Sequence, residues 1–141
     1  MKKVIDSFEG EYAFLSNFYP SKIYDFEGNE YPTVEHYFQA MKTMNPWERK
    51  KIAAAPTPGK AKQMGRRVNL RKDWEDIKLK VMKHAIMQKF SDPDFRNPLI
   101  RTGDAELIEG NWWGDTYWGV CNGVGENHLG QLLMEAREVL R

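Results

Sequence analysis

The amino-acid sequence predicts a single α+β domain over residues 1–141, dominated by helices and carrying a small β-hairpin or sheet near its N-terminus. Helix-start signals recur at Pro32-Thr33, Asn45-Pro46 and Thr57-Pro58, each a capping residue beside a proline. Apolar residues repeat at helical spacing over residues 73–90 and again after Asn127. The first 31 residues instead read as mainly extended, broken by turn residues. A chain of 141 residues can bury a core without disulfide or metal staples.

In order, VIDSF is a candidate strand, and SKIYDF, EGN and EY form a hairpin around Gly28. Between them EYAFLSNFYP has too many aromatics for a solvated loop and no clear period, so Phe14, Leu15, Phe18 and Tyr19 are expected to pack. Asn17 is there either a turn residue or a ligand contact. A helix starts near Val34 with Thr33 as its cap. A second starts at Asn45 with Glu48 placed to close a capping box, and runs to about Ala55. Thr57 starts a short third helix that breaks at Gly65. Trp74, Ile77, Val81, Met82, Ala85, Met87 and Phe90 outline the fourth, and DFRNPLIR forms a fifth that stops at Gly103. AELIE reads as a short strand. Leu129, Leu132, Leu133, Ala136, Val139 and Leu140 line the core face of the last helix, with Asn127 as its cap.

The net charge of +1 conceals a segregation. Residues 1–46 hold 4 basic and 7 acidic side chains, residues 47–101 hold 15 and 6, and residues 102–141 hold 2 and 7. The basic middle is either a solvated helical surface or a receiver of phosphate groups. Acidic flanks argue against a general nucleic-acid binder and for a small phosphorylated ligand. The lone Cys121 forms no internal disulfide and is expected to be a buried, inert thiol. No signal peptide or long apolar run is present, so the chain reads as soluble and cytoplasmic, without a membrane partner. His36, His84 and His128 show no metal-ligand spacing, so no metal is expected.

Two stretches carry candidate chemistry. In PTVEHYFQAMK, Val34, Tyr37, Phe38, Met41 and Met44 fall on one apolar arc, while Glu35, Gln39 and Lys42 share a second. The stripe is either the start of a site or an ordinary solvated face whose glutamate complements the helix dipole. In GNWWGDTYWGVCNGVGEN, five glycines and four large aromatics resist both the helical and the strand period. The segment is either a tight loop anchored by its tryptophans or a platform for stacking on a planar ring. Asp115 is its only acid before Glu126, and the best second carboxylate to join Glu35.

These segments, in this order, resemble the YbiA/NADAR family: FLSNFYP, YPTVEHYFQAMK, the AKQMGRRVNLRKDWEDIKLKVMKHAIMQKF block and GDTYWGVCNGVGENHLGQLLMEAREVLR. The resemblance implies a YbiA-like fold and an N-glycosidase, a hydrolase that cleaves the C1′–N bond of a phosphorylated ribosyl base. The expected substrates are phosphoribosylamino-pyrimidine intermediates of riboflavin synthesis. The alternatives are an ADP-ribosyl-guanine hydrolase, whose partner would be ADP-ribosylated nucleic acid, and a module that binds ADP-ribose or a nucleotide without hydrolysis.

By the resemblance, Glu35 and Lys42 are expected to be catalytic, with Asp115 as the candidate second carboxylate. Asn17, Phe18, His36, Gln39 and Trp74 would bind substrate, with Arg66 and Arg67, joined by Lys60 or Lys62, on its phosphate. Trp113, Trp118, Gly119 and Asn127 would also bind substrate, the aromatics of the loop holding the leaving base. No cofactor is implied. The chain departs from some YbiA-like members at Val120, where they carry an acid after Trp-Gly.

Overall fold

The structure, a computed structural model, describes residues 2–141. The elements follow as β1 (Val4–Ile5), a 3-10 helix (Gly10–Leu15), β2 (Ile23–Tyr24), β3 (Glu30–Tyr31), α1 (Val34–Ala40), α2 (Pro46–Ala53), α3 (Pro58–Gly65), α4 (Trp74–Phe90), α5 (Pro93–Arg101), β4 (Glu106–Leu107), β5 (Gly110–Asn111), β6 (Val120–Cys121) and α6 (His128–Leu140). The architecture is α+β and helix-dominated, its sheets being three two-stranded pairs. The chain divides into two units, Asn17–Lys89 and the residues up to Ser16 together with Phe90–Arg141.

In the Asn17–Lys89 unit, β2 and β3 pair antiparallel with Ile23 opposite Tyr31, and Gly28 turns the chain at φ 84°. The Asp25 carboxylate fastens this turn by accepting from the Glu27 and Asn29 amides, the Asn29 side chain and the Tyr31 hydroxyl. Thr33 caps α1, accepting from the His36 amide. Every residue of α1 is buried, because α2 and α3 pack on it along with the hairpin. The expected two-faced helix is thus corrected to one covered all round, with polar Glu35, His36 and Gln39 inside. Met44, expected on the core arc, lies past the helix end and is 62 % exposed.

Asn45 and Thr57 cap α2 and α3 as their sequences predict. The capping box does not form. Glu48 accepts instead from the Thr43 hydroxyl at 2.6 Å and the Asn69 amide, tying α2 to the segment after α3. On α4, Trp74, Met82, Ala85, Ile86 and Phe90 are buried, whereas Ile77, Val81 and Met87 are half-buried.

In the other unit, β1 pairs in parallel with β4, Val4 opposite Glu106. Asp92 caps α5. The buried residues Leu129, Leu133 and Ala136 turn α6 toward β4 and α5, while Val139 is exposed. Asn127 precedes α6 but does not cap it. At φ 54° its side chain instead accepts from the Glu109 amide and donates to the Leu107 carbonyl, clamping the helix start to the chain after β4. Cys121 is half-buried, not enclosed.

Candidate active site

Helix α1 gathers an unusual set of polar groups. Glu35 is 8 % exposed, and its Oε2 accepts from the Gln39 Nε2 at 2.6 Å, the two being one helical turn apart. The Glu35 amide, one of the free donors of the first turn, is met by the carbonyl of Asn17. That bond sets Asn17 against the helix start. The Asn17 Nδ2 contacts the Met82 sulfur of α4 at 3.6 Å, and its Oδ1 is buried without a hydrogen-bond partner.

Lys42 lies two residues past the end of α1, and its Nζ stands 5.9 Å from the centre of the Phe38 ring. Burial pulls its pKa below the usual lysine value. Glu35 opposes that pull, and Arg66, Lys62 and Lys78 reinforce it by repulsion. One carboxylate and three cations therefore act on Lys42 near the end of α1. Such a group can offset a developing positive charge, receive a phosphate and hold a fraction of its lysine as free amine.

The glycine- and aromatic-rich segment is built differently. Asn111 accepts from the Asp115 amide and donates to its carbonyl, and the Asp115 Oδ1 accepts from the Tyr117 and Trp118 amides. The Tyr117 and Trp118 carbonyls then accept from His128 and Leu129, so this loop supplies the cap that Asn127 does not. The Tyr117 ring lies 4.4 Å from the His128 ring, tilted by 42°. Gly119 is buried where a side chain would overlap the Glu109 carbonyl, which explains glycine there. Trp112 and Trp113 project outward, 85 % and 50 % exposed. Among the described residues no group of three or more His, Cys, Asp or Glu side chains is set to hold a metal ion, and no helix is long and apolar enough to cross a membrane.

The NADAR domain family matches residues 6–141. The chain belongs to this family. It is 43 % identical to N-glycosidase YbiA of Shigella flexneri serotype 5b (strain 8401), over 92 % of this chain and 82 % of that protein. It is 36 % identical to a riboflavin biosynthesis protein of Vibrio vulnificus (strain YJ016), covering 92 % of this chain but 36 % of the longer relative. Among solved structures, the NMR structure of E. coli YbiA superposes with a TM-score of 0.84 at 39 % identity, covering 99 % of this chain and 86 % of that one.

Within this NADAR chain the expected site residues separate. His36 is 2 % exposed with both ring nitrogens engaged. Because a carbonyl only accepts, the Nε2–H donates to Ala55 and Nδ1 accepts from the Thr33 hydroxyl, leaving neither nitrogen for a ligand. Burial lowers its pKa, against the Ala55 hydrogen bond, in keeping with a neutral ring. Trp74, 5 % exposed, backs the Phe38 ring at 5.0 Å. Asn127 is the clamp described above. All three therefore have structural roles in this fold. Phe18 remains 45 % exposed and open to contact.

Arg66 and Arg67 part company. Arg66 acts on Lys42, whereas Arg67 lines a separate cavity of about 400 Å³ between α2 and α3, with Trp47, Lys51, Ile52, Met64 and Val68. The sequence reading missed Lys78 and Lys89. Lys89 is 2 % exposed, 5.9 Å from the Tyr19 ring centre, and burial brings its pKa to about 7. Its position was readable: seven residues after Met82 and four after Ala85, it falls on the core arc of α4.

Proposed function

We propose that this chain is an N-glycosidase that hydrolyses the C1′–N bond of a phosphorylated ribosyl base. The substrate class we favour is the phosphoribosylamino-pyrimidines of riboflavin synthesis. The observation that carries the reading is the buried Glu35–Gln39 pair beside a lysine whose pKa is lowered by burial and by three neighbouring cations. N-glycosidases and a riboflavin biosynthesis protein among the relatives support it. The single family match across 6–141 supports one working domain.

Breaking the C1′–N bond develops positive charge on the sugar, and a carboxylate held in a water-poor setting stabilises that charge strongly. Glu35 has that setting. Its carboxylate also accepts a proton from the attacking water. The Asn17 Oδ1, a buried acceptor lacking a donor, is suited to a ribose hydroxyl. Arg66 and Lys62 face the anionic phosphate. Lys42 acts as an amine: with the ribose ring open, its lone pair attacks C1′, the base departs carrying the proton, and water then hydrolyses the resulting imine to return the amine and the free sugar. The exposed tryptophans offer stacking faces for a base.

Asp115 is the proposed second carboxylate. Asp115→Asn keeps an Oδ1 for the two loop amides while removing the charge, so kcat is expected to fall with the fold intact. A wild-type kcat would confine Asp115 to its turn.

The test of the whole reading is to incubate the protein separately with the riboflavin-pathway intermediate, ADP-ribosyl-guanosine and NAD. Release of ribose 5-phosphate from the first is expected. Release of ADP-ribose from the second alone would transfer the site to nucleic-acid repair, and binding without release from any would make it a binding module.

A further inference from the structure

Gly65 closes α3 in a helical conformation that needs no glycine. Its φ is not among the positive values found at six other glycines of the chain, and it has no turn to make. Glycine is nonetheless a poor helix former. The reason for it lies across the helix pair. Gly65 is buried against α1, and a methyl group there would overlap the Gln39 Oε1, come within 2.8 Å of Cδ and crowd Cβ at 3.1 Å. The atoms it would strike first are the far end of a flexible side chain, so Gln39 would move before the backbone did.

Gln39 has little else to keep it in place. It is 4 % exposed, its Nε2 donates to the Glu35 Oε2, and its Oε1 is buried with no hydrogen-bond partner. An amide secured at one end keeps its orientation only while the space around its other end keeps its shape. Gly65 supplies that space. An ionised carboxylate only accepts, so this orientation, Nε2 toward Glu35 and Oε1 toward Gly65, is the one that serves the charged form.

We propose that Gly65 is a positioning residue for Glu35: by carrying no side chain it lets the Gln39 amide lie flat against α3 and hold the Glu35 carboxylate in a fixed direction. Its link to catalysis rests on the reading of Glu35 given above. Gly65→Ala turns the Gln39 amide away, and the carboxylate loses the donor that favours its ionised form.

The test compares the wild type with Gly65→Ala, Gln39→Ala and the double variant. In Gly65→Ala the Glu35 carboxyl-carbon titration, followed by NMR, is expected to move to higher pH. The acid limb of kcat/KM should move with it, and kcat should fall about tenfold while cooperative melting is retained. In the Gln39→Ala background the alanine at 65 meets an emptied space, so the double variant should match Gln39→Ala alone. An unchanged Glu35 titration in Gly65→Ala overturns the proposal, as do effects that multiply in the double variant. A shifted titration with wild-type turnover upholds the positioning and overturns the catalytic role of Glu35 instead. Should Gly65→Ala fail to fold, Gly65→Ser in the Gln39→Ala background repeats the comparison, and a further change in the Glu35 titration there counts against the proposal.

Discussion

Helix α1 and the loop at residues 110–127 break the ordinary rule of burial in opposite directions. The helix buries a carboxylate, an amide and an imidazole, while the loop leaves two tryptophans in the open. Burying a charge costs free energy unless partners are in place, and exposing large apolar rings forgoes their burial. Each region thus holds groups where folding alone would not put them. They are secured by different means. In α1, side chains hold side chains, as with Gln39 on Glu35 and Thr33 on His36. In the loop, side-chain and backbone groups fix the chain path around Asp115, so that Tyr117 and Trp118 anchor it while Trp112 and Trp113 project outward. The helix is built for a fixed charge and the loop for an accessible surface.

The sharpest way to break that contrast is Glu35→Gln, which keeps the shape and removes the charge. A loss of at least about a hundredfold in kcat with an intact fold is expected from a catalytic carboxylate. Full activity would reduce α1 to a buried polar network of purely structural use. Lys42→Ala should be equally inactive. Borohydride added with substrate should trap a covalent adduct on the wild type, detected as a mass increase, and none on this variant. Activity in Lys42→Ala would leave water attack assisted by Glu35 as the route.

The two arginines refine the picture on the helix side. Arg66→Ala is expected to raise KM about tenfold with little change in kcat, as for loss of one charge-assisted contact to phosphate, and Arg67→Ala to leave both near wild type. The reverse pattern would move the phosphate to the α2–α3 cavity.

Lys89 gives a stability test. Below about pH 7 it is protonated in both states, and between that value and 10.5 the unfolded chain holds a proton the folded chain lacks. Stability therefore rises with pH across this window, by up to about 1.4 kcal/mol per unit. Urea melts from pH 6 to 9 should show that slope, and Lys89→Met should lack it. An identical slope in the variant would mean that Lys89 keeps its charge. The smallest effect is on the loop: Trp112→Ala should change stability by less than about 0.5 kcal/mol, since 85 % of the side chain is already in water. A larger loss by thermal melting would show that Trp112 supports the loop instead of projecting from it.

Local chemistry settled much of this protein in advance. Thr33, Asn45 and Thr57 start their helices where the sequence places them, because a cap needs only its own next three residues. The hairpin at Gly28 and the leucine face of α6 follow from turn chemistry and periodicity in the same way. The stripe of Glu35, Gln39 and Lys42 was visible as a pattern. What the pattern left open was its surroundings, since an arc of polar residues looks the same in sequence whether water or another helix lies against it.

Tertiary structure decided those surroundings. Packing of α2 and α3 turned the polar arc inward, parted Arg66 from Arg67 and gave Glu48 a partner twenty-one residues away, and within the other unit the chain after β4 made a clamp of Asn127. It also determined why residue 65 is glycine. Each of these depends on atoms brought close by segments distant in the chain, and the free energy of a buried charge or an unfilled space is set by such neighbours, not by the order of residues along the chain.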